Sequence, residues 1–572
     1  MKHLLHTVAV LFIMHHFAEA ENLQWVKQIE GNSPVTIRDV TTDASGNIYY
    51  TGDFYGTVDL NPHPVDSLKV TSQGSGDIFI SKMDASGNLI WAKTVGGNAS
   101  DLSYGVAVDA QGNVYVTGAF FGTVDFNPDA GTDNLIGSGN GHGFVWKLSS
   151  SGSYLWAKQF TGTLNVICRS IAVDGSGNVY TSGAFYGDVD LDPGSGTYTL
   201  SPTGAFEDAF ISKLNSSGDF VWGKQIEVRF ISAVGPAISL DGNNNLYVTG
   251  IFEGKTDLNP GTDTTYFYSL GDRDAFVLKL NDAGNLLWAK QIGGSLAAVY
   301  SYACTADAQG NVFITGTLNE TADFNPDSNT TNNLMSISNF DLFVCKLNSS
   351  GSYVWAKNMG GSSGFIEGRG ISVDAQGNVF TTGFFEADVD FDPDAGTFIV
   401  PYHSFSRTDA FISKLDASGN FAWAGGIGGT DDTQGYSIAT DNNGNIYTVG
   451  NFRKKADFDP GTDSLFLTAP TAGGVPPNGF VLRLGTGSTG ISTTQAKLPV
   501  IIFPNPASSV LNIETSEKIT RIKIADLTGK TLADVSSPLS PVLDVGYLTK
   551  GYYLVYVETL NGNMGVKPFL KH

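Results

Sequence analysis

Residues 109–133 read DAQGNVYVTGAFFGTVDFNPDAGTD, a β-strand pattern followed by an acidic loop. After the Gly-Asn turn, apolar and small polar side chains alternate, which is typical of a strand that leaves a tight hairpin. The segment occurs seven times, at intervals of 65 to 67 residues. The copies begin at Asp43, Asp109, Asp174, Asp241, Asp307, Asp374 and Asp441. Self-similarity at this period indicates a repeat architecture.

Each period contains two further strand patterns, one of the type DAFISKL and one with a central tryptophan. The tryptophans are Trp25, Trp91, Trp156, Trp222, Trp288, Trp355 and Trp423. The order is shifted cyclically, because the chain starts with a Trp strand and the array ends with GFVLRL. Seven periods of four strands predict an all-β, seven-bladed β-propeller with four-stranded blades. We expect the N-terminal strand around Trp25 to close the last blade beside Phe480.

The repeated patterns resemble SBBP-type bacterial β-propeller repeats over residues 22–484. The residues that carry this resemblance are SIAVD-x-x-GN-x-Y-x-x-G, DAF-[IV]-x-KL and the [IV]GG that follows the Trp strands. The resemblance implies the fold. It does not imply an activity, because propellers host many functions.

Composition and the N-terminal segment predict where the protein acts. The net charge of −23 disfavours nucleic acid as a partner, because such a surface repels phosphate backbones. Residues 1–20 have a short apolar run and end in Ala-Glu-Ala, which is typical of a secretory signal peptide. No later segment reaches transmembrane length, so no membrane span is expected in the mature chain.

Cys168, Cys304 and Cys345 form neither a disulfide framework nor a CxxC metal site.

The C-terminal part of the chain differs from the repeats. Residues 21–485 are assigned to the propeller, 486–497 to a flexible Gly/Ser/Thr linker and 498–572 to a small β-sandwich. The last unit resembles the C-terminal sorting domain of the type IX secretion system. Matching motifs include Phe503-Pro504-Asn505-Pro506 and Leu548-x-x-Gly551-x-Tyr553. The resemblance implies that the type IX machinery is a partner, and that the protein is secreted or held at the outer-membrane cell surface.

A register of arginines and tyrosines suggests a ligand site. The position five residues before each repeated Asp is occupied by Arg38, Tyr104, Arg169, Pro236, Tyr302, Arg369 and Tyr436. Because this position enters the innermost strand, the side chains are expected near the mouth of the central channel. There they would bind an anionic or sugar ligand by guanidinium hydrogen bonds and stacking. The alternative is that they plug the channel and pair with neighbouring aspartates.

The acidic loops admit two interpretations. Oxygen donors alternate at Asp125, Asn127, Asp129 and at Asp390, Asp392, Asp394, a spacing that suits calcium. However, [DN]-P-[DG] is itself a strong turn sequence, and no EF-hand glutamate follows. Calcium and a purely structural turn therefore both stay open, and no other cofactor is predicted.

The leading functional hypothesis is a secreted or cell-surface binding module for a glycan or protein ligand. One alternative is an extracellular enzyme that acts on polysaccharide or peptide, and another is a structural surface component. Carboxylate pairs are too frequent in the chain to single out an acid–base pair. No catalytic residue is therefore assigned, and an enzymatic activity is not expected.

Overall fold

The computed structural model describes residues 21–485 and 501–572, except 64, 138–139, 205, 231–234, 328, 405–406, 462, 471–475, 516–517, 527–530, 537, 539, 541 and 560–563. The expected signal peptide and linker lie outside the described residues. The chain divides into two compact units, Met1–Ser488 and Thr489–His572. The described residues form β-strands and turns without helices.

Four strands from each repeat form an antiparallel sheet, which gives seven such sheets in the described part of the first unit. We number them 1 to 7 along the chain and name the strands by their order from the innermost outward. The inner strands are Val35–Thr42, Leu102–Val108, Val166–Val173, Ala237–Leu240, Ala298–Ala306, Ile366–Val373 and Thr433–Thr440. The second strands are Ile48–Phe54, Val114–Phe120, Val179–Phe185, Leu246–Phe252, Val312–Asn319, Val379–Phe385 and Ile446–Phe452.

The third and outer strands complete each sheet. The third strands are Asp77–Met83, His142–Leu148, Glu207–Leu214, Asp274–Leu280, Asp341–Leu347, Asp409–Leu415 and Asn478–Gly485. The outer strands of sheets 1 to 6 are Leu89–Val95, Tyr154–Gly162, Phe220–Phe230, Leu286–Ile292, Tyr353–Gly361 and Phe421–Gly429. The outer strand of sheet 7 is Asn22–Gly31, from the start of the chain. The second strands are almost wholly buried, and the apolar core lies between neighbouring sheets.

The repeated Asp-x-x-Gly-Asn segment forms the turn between inner and second strands. The Oδ1 atom of Asp109 accepts the backbone N–H groups of Gln111 and Asn113. Gly112 has a φ of 78°, a conformation that suits glycine because it has no Cβ. Asn244 takes this position in sheet 4 with a φ of 59°, as the tolerance of Asn for the left-handed region allows.

The seven sheets follow one another in a closed cycle. Each inner strand contacts the inner strands of the two neighbouring sheets, and sheet 7 contacts sheet 1. Several inner-strand positions hold small residues, and the structure shows where space between the strands is short. A Cβ on Gly105 would lie 3.1 Å from Ile171 Cγ2, and one on Gly370 would lie 3.0 Å from Ser437 Cα. Small residues therefore permit close approach between neighbouring inner strands.

At the periphery, tryptophans connect six of the sheets to the sheet that follows. Trp91 Nε1 of sheet 1 donates to the carbonyl oxygen of Ser150, in the hairpin between the third and outer strands of sheet 2. The same bond links sheet 7 to sheet 1, because Trp25 Nε1 donates to the Ala85 carbonyl at 3.1 Å. Within sheet 7, Gln28 lies opposite Phe480. This is the strand pairing expected from the sequence.

A short hairpin follows the second strand of each repeat, within the acidic segment. The hairpins pair Thr57–Asp59 with Lys69–Thr71, Thr123–Asp125 with Asn134–Ile136, Val189–Asp190 with Thr199–Leu200, Lys255–Asp257 with Tyr266–Tyr268, Thr321–Asp323 with Asn333–Met335, Val389–Asp390 with Ile399–Val400, and Lys455–Asp457 with Phe466–Thr468. Several of them extend the outer strand of the preceding sheet, as in the pairing of Glu30 with Asp59.

The second unit contains two antiparallel sheets, of three and four strands, among its described residues. The three-stranded sheet has Ile501–Phe503, Val510–Glu514 and Val542–Asp544. The four-stranded sheet has Thr531–Ser536, Ile519–Asp526, Gly551–Thr559 and Met564–Lys571. Residues of both sheets, including Leu511, Ile524 and Val555, form one apolar cluster.

Candidate functional site

The predicted arginine and tyrosine positions lie in β-bulges of the inner strands. In sheet 2, Ser103 pairs with Gly118 and Gly105 with Thr117, so Tyr104 between them has no partner residue on the second strand. The same irregularity occurs at Arg38, Arg169, Tyr302, Arg369 and Tyr436. A bulge turns a side chain out of the regular alternation of a strand. In sheet 4 the inner strand begins at Ala237, one residue after Pro236.

The glycine of the repeated Thr-Gly or similar pair in the second strand makes room for this bulge. Gly52, Gly183 and Gly383 each lie opposite the residue that precedes a bulge. A Cβ at any of them would lie well within 3.0 Å of a carbonyl oxygen of the inner strand. This glycine is the sequence signal for the bulge. It can be recognised as such only when the pairing of the two strands is known.

The bulged side chains surround one cavity on the axis of the sheets, with a volume of about 630 Å³. All six predicted residues line it, together with Pro236. The lining residues are Arg38, Tyr104, Arg169, Tyr302, Arg369 and Tyr436, and we call them the Arg/Tyr ring. The structure thus brings together side chains that are separated by 65 residues or more in the sequence.

The three arginines of the ring differ in their partners. Arg38 Nε donates to Asp53 Oδ1 at 2.7 Å, and burial alone would lower the pKa of Arg38, but this carboxylate raises it. Arg369 pairs with Glu367, a buried carboxyl group whose pKa is raised by burial. Arg169 Nε is buried and has no hydrogen-bond partner among the described residues, and no described carboxylate lies within ion-pair distance of it. Among the described residues, Arg169 is therefore the ring arginine without a carboxylate partner.

Two tyrosines of the ring, Tyr104 and Tyr302, pack against these guanidinium groups. The Cζ atom of Arg169 lies 4.2 Å from the ring centroid of Tyr104, and that of Arg38 lies 5.0 Å from it on the same ring. Arg369 Cζ lies 5.1 Å from the centroid of Tyr302. These distances are within the range of cation–π attraction, which holds the side chains at the cavity.

Asp39 also lines the cavity, although the sequence pattern does not mark it. It occupies the inner-strand position that holds a small residue, such as Gly105 or Ser437, in other sheets. Its carboxylate accepts hydrogen bonds from Ser437 Oγ at 2.7 Å and from the Val106 backbone N–H at 2.8 Å. Asp39 therefore connects sheets 7, 1 and 2. Burial raises the pKa of Asp39 from 3.8 to about 6.

In the acidic loops, side-chain oxygens accept hydrogen bonds from the loop itself. Asp125 Oδ1 accepts the backbone N–H groups of Asn127 and Asp133, and Asn127 Oδ1 accepts that of Asp129. The Asp129 carboxylate then pairs with Lys93 Nζ at 2.8 Å. A calcium ion would compete with this ammonium group for the same oxygens.

The second candidate loop repeats this arrangement. Asp390 Oδ1 accepts the Asp392 N–H, Asp392 Oδ1 accepts the Asp394 N–H, and Asp394 pairs with Lys357 Nζ at 2.5 Å. In the part of the chain that the structure describes, no group of three or more His, Cys, Asp or Glu side chains is arranged to hold a metal ion. The hydrogen bonds and ion pairs of these loops are those of structural turns, and calcium binding stays a prediction.

The cysteines are unpaired in the structure. Cys168 and Cys345 are buried, and Cys304 is partly exposed. Burial raises the thiol pKa of all three, so they are protonated and unreactive at neutral pH.

Comparison with family models identifies both parts of the chain. A model described as a beta-propeller repeat, SBBP, matches residues 24–53, 155–184 and 426–451. A model described as a secretion system C-terminal sorting domain matches residues 501–570. The chain carries SBBP repeats and a type IX sorting domain. The sorting domain implies export by the type IX secretion system. No helix in the described residues is long and apolar enough to cross a membrane.

Two curated proteins that this chain resembles are much longer than it is. An uncharacterised WD repeat-containing protein of Acanthamoeba polyphaga mimivirus is 27% identical over 496 residues, which cover 73% of this chain and 35% of that protein. The regulatory protein FlaEY of Caulobacter vibrioides is 28% identical over 191 residues, covering 32% of this chain and 18% of that protein. The chain thus spans about a third or less of these curated relatives. A solved structure of a protein of unknown function from Bacteroides caccae has 10% identity and a TM-score of 0.27, covering 58% of this chain and 94% of that one.

Proposed function

We propose that the mature protein is a secreted or cell-surface binding module, a seven-bladed β-propeller delivered by a C-terminal β-sandwich. The closed cycle of seven four-stranded sheets supports the propeller. The two packed sheets of the second unit support the sandwich. The sorting domain supports delivery to the cell exterior. The ligand is an anionic or sugar-containing molecule that binds at the Arg/Tyr ring.

The unpartnered Nε of Arg169 is the observation that carries this proposal. A buried donor without a partner costs about 1–3 kcal/mol, and a ligand oxygen would satisfy it. Tyr104 packs on the guanidinium, so Arg169 is oriented before a ligand arrives. The six ring side chains converge on a cavity of a size typical for small-molecule sites. Such a site recognises a carboxylate or another oxyanion.

The proposal is tested by binding of the full mature chain to an array of glycans and peptidoglycan fragments. We expect the wild-type protein to retain anionic components, and Arg169→Gln to reduce their affinity about tenfold or more. Arg407→Gln is the matched control, because the Arg407 side chain is 57% exposed and lies outside the Arg/Tyr ring. Equal binding by the wild type and the Arg169→Gln variant would show that the Arg/Tyr ring does not bind these ligands.

The ion pairs of Arg38 and Arg369 favour a second candidate function. Paired arginines and stacked tyrosines also close a channel without a ligand. The protein would then be a structural surface component. In that case, Arg169→Gln would lower the thermal midpoint, and neither the wild type nor the variant would retain any member of the array.

A further inference from the structure

Five aromatic side chains form a continuous row that leaves the cavity at Tyr302. Tyr302 stacks on Tyr300 at a centroid distance of 6.2 Å, and Tyr300 contacts Phe340 at 6.2 Å. Phe340 contacts Phe365 at 5.2 Å, and Phe365 stacks on Phe384 at 6.1 Å. Phe384 is buried, and the other four side chains are partly exposed. We call Tyr300, Phe340 and Phe365 the aromatic patch.

The fold does not require these aromatic residues. The Phe340 and Phe365 loops are joined by a backbone hydrogen bond from Ile366 N–H to the Phe340 carbonyl. Five other described junctions make the same bond with different residues at the two positions. Those pairs are Gly76 with Ser100, Gly141 with Asn165, Arg273 with Ala298, Thr408 with Asp432 and Pro477 with Pro34. The Phe340–Phe365 pair is thus a departure from the repeat, and both side chains are partly exposed, as residues of an interaction site are.

Two guanidinium groups border the aromatic patch. Arg369 Cζ lies 5.1 Å from the Tyr302 centroid and 5.8 Å from that of Phe384. On the other side, Arg273 Nη1 donates to the Tyr300 hydroxyl at 3.1 Å. Arg273 Nε lies 3.9 Å from Glu253, which is too long for a hydrogen bond. Both arginine side chains keep an exposed fraction, 37% for Arg369 and 27% for Arg273.

We propose that the aromatic patch binds a uronic-acid unit of an acidic saccharide, with Arg273 or Arg369 on its carboxylate. This inference rests on the proposed ligand site and extends it outward from the Arg/Tyr ring. The negative face of an aromatic ring attracts the polarised C–H bonds on the flat side of a pyranose. A guanidinium group holds a carboxylate through a fork of two hydrogen bonds. The net charge of −23 disfavours a long polyanion, so a short or terminal segment is the ligand.

The test is calorimetric titration of the full mature chain with three tetrasaccharide probes. They are tetragalacturonate, its methyl ester and a neutral galactose tetrasaccharide. The ester keeps the sugar rings and removes the charge. We expect tetragalacturonate to bind at least tenfold more tightly than the ester or the neutral probe. Absence of binding, or equal affinity for acid and ester, would overturn the inference.

The site is tested with a variant that copies another junction of the same protein. Phe340→Gly combined with Phe365→Asn introduces the residue pair that sheets 2 and 3 use, in which Asn165 Oδ1 accepts the Gly141 N–H at 3.1 Å. We expect this variant to keep its thermal midpoint within a few degrees and to lose at least tenfold in affinity for tetragalacturonate. Asn165→Ala, at the equivalent surface position, is the matched control and should bind as the wild type does.

Comparison with Arg169→Gln separates this inference from the proposed function. If Arg169→Gln weakens binding of array anions while the Phe340→Gly/Phe365→Asn variant binds tetragalacturonate normally, the Arg/Tyr ring stands and the aromatic patch is excluded. If only the phenylalanine variant loses tetragalacturonate, the aromatic patch stands as an independent saccharide site.

Discussion

Replacing Lys414 by methionine should weaken the junction between sheets 6 and 7. At other junctions the third-strand lysine donates to a backbone carbonyl of the next sheet, as Lys147 does to Ser216 at 3.0 Å. Sheet 7 has no hairpin at this place, because its third and outer strands come from distant parts of the chain. Lys414 Nζ instead contacts Glu21 Oε1 at 2.6 Å. The Glu21 side chain has 0% exposure and that of Lys414 has 14%.

The magnitude follows from the burial of this pair. Removing one member of a buried ion pair leaves the other charge without its partner, at a cost of about 3–5 kcal/mol. Among the described residues Glu21 Oε2 already has no hydrogen-bond partner, so Lys414→Met would leave the carboxylate poorly solvated. We expect Lys414→Met to lower the free energy of unfolding by about 3 kcal/mol. Glu21→Gln should lower it by about 1–2 kcal/mol, because the amide oxygen still accepts a hydrogen bond.

The assay is equilibrium unfolding in guanidinium chloride, followed by tryptophan fluorescence of the mature chain. The double variant should be less destabilised than the sum of the single variants, with a coupling of about 1–3 kcal/mol. Lys69→Met, at an exposed lysine of a short hairpin, is the control and should change little. Additive effects, or a Lys414→Met variant as stable as the wild type, would show that this ion pair does not stabilise the junction.

Three further predictions concern the bulge, the axis and the acidic loops. Gly183→Ala should lower the free energy of unfolding by about 1–3 kcal/mol in denaturant titration, whereas Gly175→Ala, with open space around it, should not. Because the pKa of Asp39 is about 6 when folded and 3.8 when exposed, its contribution to stability is lost as pH rises from 4 to 6. The thermal midpoint should therefore fall over this range, and less so in Asp39→Asn. If the Asp125 and Asp390 loops bind calcium, chelation should lower the thermal midpoint, and no shift would indicate turns alone.

The sequence predicts those features that depend on local chemistry repeated at a fixed period. The Asp109 turn and the positions of the Trp strands follow from turn residues and strand alternation. The convergence of Arg38, Arg169 and Tyr302 on the axis also follows, because equivalent positions in a cyclic repeat lie at the same distance from the axis.

Features that depend on contacts between different repeats of the chain could not be predicted from the repeated sequence pattern. The bulge at Arg169 depends on strand register, and the glycine that signals it is equally common in turns. Phe340 and Phe365 belong to different sheets, and the equivalent positions of the other described junctions hold no aromatic pair that would mark them in the sequence. The contact of Lys414 with Glu21 joins two residues that are 393 positions apart. These interactions require the closed arrangement of the sheets to be known first.

Hydrogen–deuterium exchange of the outer strands tests most directly whether the N-terminal segment closes the ring. Asn22 to Ile29 pair with the neighbouring strand Asn478–Gly485, so the amides on that side are hydrogen-bonded, as they are in the outer strand Leu89–Val95 of sheet 1. We predict that peptides covering the two outer strands exchange at comparable, slow rates in the mature protein. Complete exchange of Asn22–Gly31 within seconds, while Leu89–Val95 stays protected, would contradict the closed ring.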